Sequence, residues 1–313
     1  MNRKKKIVLF STTALFLPSL INHSVFFLSK HRDKKDTIDQ FYESKLGTVH
    51  YTVKGNGRPL LLFHNTQIGS SLLEWEKNIE FLSNYYKVFA IDLPGFGYSQ
   101  RQKITYTAYH YAQFINSFIQ EIVKRPVFII ANEQSAIFCT KAYELEPSNI
   151  KKLILIAPKG ISENPYPSQE EKKVLTFFGI PLIGTSIYTY LSSFKAIKEF
   201  LFHTAFFAKE KVSQEMIQQC YFSAHRGGVN NRYVFSSYFS HFMDADIKEV
   251  LKKIKIPVCI IWGENNIENP IENMETLKQL RPDFFYYVFE QTRMLPQYEN
   301  NEEFNKVIKE FLN

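Results

Sequence analysis

Three absences narrow the reading of this 313-residue chain before any motif is considered. Its three cysteines, Cys139, Cys220 and Cys259, are far apart and show no metal-ligand spacing, so they read as small buried hydrophobes and no metal site is expected. Internal repeats and low-complexity tracts are missing, which excludes a solenoid or a linker-rich protein. An excess of charge of one sign is lacking outside the N-terminus. The net charge is +7, but residues 1–36 carry eight Lys/Arg against Asp33 and Asp36, which is +6 and leaves +1 for the other 277 residues. A basic nucleic-acid face is therefore not expected. What is present is apolar material: 45% hydrophobic residues, with 29 Phe and 18 Tyr, enough for a large core and an apolar cavity.

Residues 7–29 run for 23 positions without a formal charge between two basic clusters. At about 1.5 Å per residue this is long enough to span a hydrocarbon core of about 30 Å. Pro18, Asn22 and His23 weaken the run and allow a tilted or partly interfacial helix. The rival is a cleaved signal peptide, but no convincing small-x-small site follows the apolar stretch and no Cys stands ready for lipidation. The expectation is a single-pass N-terminal anchor at the cell membrane. Four Lys/Arg on each flank leave its orientation open.

From Thr48 onward, strand and helix patterns alternate. Thr48–Lys54 reads as a strand, Gly55-Asn-Gly57 as a hairpin-type turn, and Pro59–Phe63 as a strand buried on both faces. Ser70 and Ser71 offer caps for a helix through Trp75 and Ile79. Strands follow at Tyr86–Asp92, Val127–Ile130 and Leu153–Ile156, with helices at Tyr109–Val123 and Ser135–Glu144. The rhythm breaks between about Ile161 and Ala245, a helical, aromatic-rich stretch, and resumes at Ile256–Trp262, Phe284–Phe289 and Glu302–Leu312. Such alternation predicts an α/β fold with a mostly parallel sheet and helices on both faces. The expected division is an anchor at 1–36, a core from 37–161 and 246–313, and a helical lid at 162–245.

Three segments carry a family resemblance. His64-Asn-Thr-Gln-Ile-Gly-Ser-Ser71 with Trp75 resembles the H-G-x-x-x-G-S-S…W loop of α/β-hydrolases, Asp92-Leu-Pro-Gly-Phe-Gly-Tyr-Ser99 their D-x-P-G-x-G-x-S loop, and Pro257-Val-Cys-Ile-Ile-Trp-Gly-Glu264 the strand leading to their catalytic acid. The resemblance covers roughly residues 45–313 and implies an α/β-hydrolase fold with a lid over the strand ends. It also implies a triad in the order Ser…Asp/Glu…His. In Ile130-Ala-Asn-Glu-Gln-Ser-Ala136, the small Ala131 and Ser135 suit the sharp nucleophile turn, but Glu133 stands at its apex. Asn266 occupies the acid position, and Met294 stands in Gln291-Thr-Arg-Met-Leu-Pro296 where the base belongs. The last histidine is His241, so the final 72 residues hold no substitute.

Each candidate has a bland alternative. Glu133 resembles the carboxylate nucleophile of haloalkane dehalogenases and epoxide hydrolases, but theirs is Asp, and they need the missing His to release the ester intermediate. The bland reading is a buried carboxylate hydrogen-bonded to the former oxyanion amides, by analogy those of Thr66 and Gln134, or partly protonated by desolvation. Ser135 reads as a packing residue of the turn, His64 as structural, and His225 and His241 as lid residues. The site is therefore expected around Glu133, Asn266 and Met294, with His64, Asn65, Thr66 and Gln134 on the oxyanion side. The leading expectation is a membrane-anchored non-catalytic hydrolase homologue, without cofactor, that binds an apolar small molecule or a protein partner. The alternatives are an active ester- or epoxide-type hydrolase built on Glu133, and a scaffold whose pocket has filled.

Overall fold

The computed structural model describes residues 39–161 and 167–313. The expected anchor at 7–29 lies outside them. Eight strands form one sheet: β1 (Asp39–Ser44), β2 (Gly47–Lys54), β3 (Arg58–Phe63), β4 (Tyr86–Ile91), β5 (Val127–Asn132), β6 (Ile150–Ile156), β7 (Val258–Gly263) and β8 (Phe285–Phe289). Their order is β1-β2-β4-β3-β5-β6-β7-β8. Strand β2 pairs antiparallel with both β1 and β4, and every pairing from β4 to β8 is parallel. One expectation is corrected here. Gly55-Asn-Gly57 reverses the chain but closes no hairpin, because β4 lies between β2 and β3 and takes the pairing of both.

The parallel strands are apolar throughout because both faces are covered. On one face, helices α1 (Glu76–Leu82) and, at the C-terminus, Asn301–Leu312 bury Trp75, Phe304, Ile308 and Leu312 against Leu60, Leu62 and Ile130. On the other, α2 (Ala108–Phe118) and α3 (Gln134–Leu145) pack against Phe63, Ile129 and Leu155, with Tyr111 stacked on Phe138 at 4.3 Å. Ser71 caps the short turn ahead of α1, accepting from Leu73 N at 3.4 Å.

Between β6 and β7 the chain inserts α4 (Gln169–Gly179), α5 (Pro181–Leu191), α6 (Phe194–Phe200), α7 (Gln214–His225) and α8 (Asn231–Phe239). Short helices α9 (Lys248–Lys253), α10 (Glu272–Leu280) and α11 (Pro296–Glu299) complete the core, and the C-terminal helix is α12. Among the described residues no single helix is long and apolar enough to cross a membrane.

Candidate functional site

The site lies where the parallel strands end. Strand β5 stops at Asn132, and α3 begins at Gln134, so the chain must turn within one residue. That residue is Glu133, at φ +47° and ψ −105°, a conformation rare for a side-chain-bearing residue and strained wherever it occurs. The turn is held by its neighbours. Glu133 N donates to Ile156 O at 2.8 Å, and Ser135 Oγ donates to the His64 carbonyl, engaging the hydroxyl in joining α3 to the loop after β3.

The Glu133 carboxyl is 1% exposed. Asn266 Nδ2 donates to its Oε1 at 3.3 Å, and Lys159 Nζ stands 3.8 Å from Oε2. This corrects the bland expectation: the partners are a side-chain amide and an ammonium, not the amides of Thr66 and Gln134. Burial raises the Glu133 pKa and Lys159 opposes the rise, while the Glu133 charge keeps Lys159 firmly protonated despite its own burial. Asn266 is itself fixed, its Oδ1 accepting from Glu268 N and Asn269 N at 3.0 and 3.1 Å.

The structure thus brings Glu133 and Asn266 together but sends Met294 elsewhere. Met294 is fully buried in an apolar cluster with Ile197, Leu201, Ala205, Phe206 and Tyr298, and its N donates to Ala205 O at 3.2 Å. The position that would carry a base is a packing contact with the helical insertion.

His64 has no nitrogen to spare. Its Nδ1 lies on the Asn65 carbonyl and its Nε2 accepts from Leu93 N at 3.0 Å, and burial lowers its pKa, so the ring is neutral. Asn65 Oδ1 accepts from Gln67 N at 3.0 Å and from Ser70 Oγ. The backbone amides of Thr66 and Gln134 donate to no described residue, and Thr66 Oγ1 is buried without a partner. The Gln134 side chain donates to Met243 O at 2.8 Å and to Asp244 Oδ1 at 2.7 Å. Asp244 Oδ2 in turn meets His241 Nδ1 at 2.7 Å.

Above these residues lies a cavity of about 620 Å³. Its polar floor is Thr66, Gln134, Lys159, Asp244 and Glu268. Its walls include Phe96, Tyr188, Leu191, Phe200, Phe235 and Phe239. Glu133, Asn266 and Met294 are not among the lining residues.

Two residues that hold this site together escaped the sequence reading. Lys159 sits three positions beyond β6 and donates to Tyr238 Oη at 3.3 Å. Glu74 takes Asn65 N at 3.0 Å, Asn132 Nδ2 at 2.8 Å and Gln297 Nε2 at 2.7 Å, joining the loop after β3, the end of β5 and helix α11. Burial pushes its carboxyl up to about 7 despite the three donors. The one available signal for Glu74 is its place beside Trp75 in the motif.

A family model described as alpha/beta hydrolase fold matches residues 59–301. The pimeloyl-[acyl-carrier protein] methyl ester esterase of Legionella pneumophila (strain Paris) is 22% identical over 267 residues, covering 84% of this chain and 99% of that protein. An uncharacterized hydrolase of Bacillus subtilis, YugF, is 24% identical over 283 residues, covering 88% and 95%. Among solved structures, a serine hydrolase involved in carbazole degradation superposes with a TM-score of 0.73 at 18% identity, covering 88% of this chain and 98% of its own. A bacterial membrane phospholipase A gives 0.71 at 19%, covering 98% and 96%. With the turn at Glu133, the eight-stranded sheet and these matches together, the chain belongs to the α/β-hydrolase fold family.

Proposed function

We propose that this protein is a membrane-tethered, non-catalytic α/β-hydrolase that binds an apolar small molecule in the cavity under its helical insertion. The observation that carries the reading is the contrast between Glu133 and the space above it. A covalent mechanism needs a nucleophile open to substrate and a base to activate the water that frees it. Glu133 is buried, held by Asn266 and Lys159, and absent from the cavity wall. Met294 offers no proton acceptor. The cavity nonetheless remains, of a size and lining suited to a small ligand, which speaks against a filled scaffold.

One observation favours a second reading, an atypical hydrolase. The His241–Asp244 pair borders the cavity and is tied through Asp244 to the side chain of Gln134, whose backbone N–H donates to no described residue. Esterase relatives supply the chemistry such a pair would serve. Fluorophosphonate labelling and turnover of p-nitrophenyl butyrate by the full-length protein separate the two readings. No labelling and no turnover above background are expected. Turnover that disappears in His241→Ala or Glu133→Gln would replace the binding role with catalysis.

A further inference from the structure

We propose that Arg101 is the recognition point for a carboxylate on the ligand of this cavity, a proposal that rests on reading the cavity as a ligand site. Arg101 follows the Asp92–Ser99 loop, is 7% exposed and lines the cavity. Its guanidinium is held from three directions. Nε donates to Asn231 Oδ1 at 3.0 Å, Nη1 to the carbonyls of Gly97 and Ser99 at 2.6 Å each, and Nη2 to the Ser223 carbonyl at 3.1 Å. A guanidinium has five N–H donors, so the second Nη2 hydrogen is left without a partner among the described residues.

Every acceptor it does have is neutral. No carboxylate among the described residues lies within ion-pair distance of Arg101. Asp92, which shares its surroundings, is already committed to His50 and to the amides of Leu72 and Tyr98. A buried cation whose hydrogen-bond acceptors are all neutral is costly, and a ligand carboxylate would supply a charged one. Lys159 makes a poorer anion site, because Glu133 takes up its charge.

The fork is also held in place for binding. A Cβ on Gly227 would fall 2.3 Å from Arg101 Cδ and 2.5 Å from Nε, so the glycine leaves the room this side chain fills. Three anchors on separate elements mean little side-chain entropy is left to lose when an anion arrives. With Phe96, Tyr188, Val234 and Phe235 on the adjoining wall, the fitting ligand is amphipathic: one carboxylate on an alkyl or aromatic body.

The test is calorimetric titration of the full-length protein in phosphatidylcholine nanodiscs, with octanoate and its neutral analogue methyl octanoate. Octanoate is expected to bind about tenfold more tightly or better, as a charge-assisted pair requires. In Arg101→Gln the two affinities should converge to within about twofold while that for methyl octanoate holds. Equal binding by the wild type, or a preference that survives in folded Arg101→Gln, overturns the subsite and leaves the apolar cavity standing. If neither ligand binds, the ligand-binding reading falls and the subsite with it. Should Arg101→Gln fail to fold, Arg101→Lys carries the test, since it keeps the charge without the planar fork. Its preference should fall several-fold, and an undiminished preference refutes the assignment.

Discussion

A buried carboxylate that accepts three N–H bonds is pulled two ways, towards ionisation by its donors and towards protonation by its surroundings. For Glu74 burial prevails, and its carboxyl reaches about 7 in the folded chain. The unfolded chain releases that proton near the ordinary glutamate value, so between roughly pH 4.5 and 7 the native state holds more of it. The Glu74 contribution to stability therefore falls as pH rises through this window and is level above it. Urea unfolding at about pH 5, 6 and 8 should show a decline of which Glu74→Gln removes a share of roughly 2–3 kcal/mol. A slope unchanged in that variant would show that Glu74 is not the titrating group. The same residue marks how far the site could be read from sequence. Motif order and spacing point to Glu133 and Asn266, which the structure brings together, and to Met294, which packs instead in the apolar cluster of the insertion. Glu74 and Lys159 were not legible, because their partners come from segments far away in the chain, and only folding brings Asn132, Gln297 and Tyr238 to them.

Among the elements, the buried parallel strands were the most legible, since a strand covered on both faces is an uninterrupted apolar run. Strand β1 gave no such signal. In Asp39–Ser44 only Tyr42 is buried, as befits an edge strand with one neighbour. Helix α2 was read through Val123, but its last turn widens to a π-turn at Ile119–Val123, closed by Lys124 at φ +58°. The insertion was legible as helical and aromatic but not as five separate helices, because its packing partners lie in the core loops. Arg101 is one such link, joining the Asp92–Ser99 loop to Ser223 on α7 and Asn231 on α8. Gly227→Ala should push the guanidinium aside and strain both contacts. The expected cost is about 1–3 kcal/mol, read as a lowered thermal midpoint, with faster amide exchange confined to α7 and α8. Native stability in that variant would mean the side chain has room the present packing does not reveal.

For the whole molecule, the uneven charge bears on the proposed tether. With +6 in residues 1–36 and +1 in all the rest, residues 37–313 have little net charge to hold them electrostatically at a surface. Full-length protein is expected in the membrane fraction, resisting both high-salt and carbonate washes, while a chain starting near Thr37 is expected in the supernatant. Recovery of the full-length chain in the soluble fraction would defeat the tether. The entry to the fold gives such a tether a mechanical meaning. Asp39 opens β1, and its Oδ1 lies 2.9 Å from His50 Nε2, while His50 Nδ1 lies 2.7 Å from Asp92 Oδ2. Asp92 begins the loop whose Gly95 and Phe96 line the cavity. Tension on the chain ahead of Asp39 is thus not absorbed by an edge strand alone. Under the proposed tether, two hydrogen bonds link that point to the loop of the cavity wall, so a load on the chain would bear on the proposed ligand site.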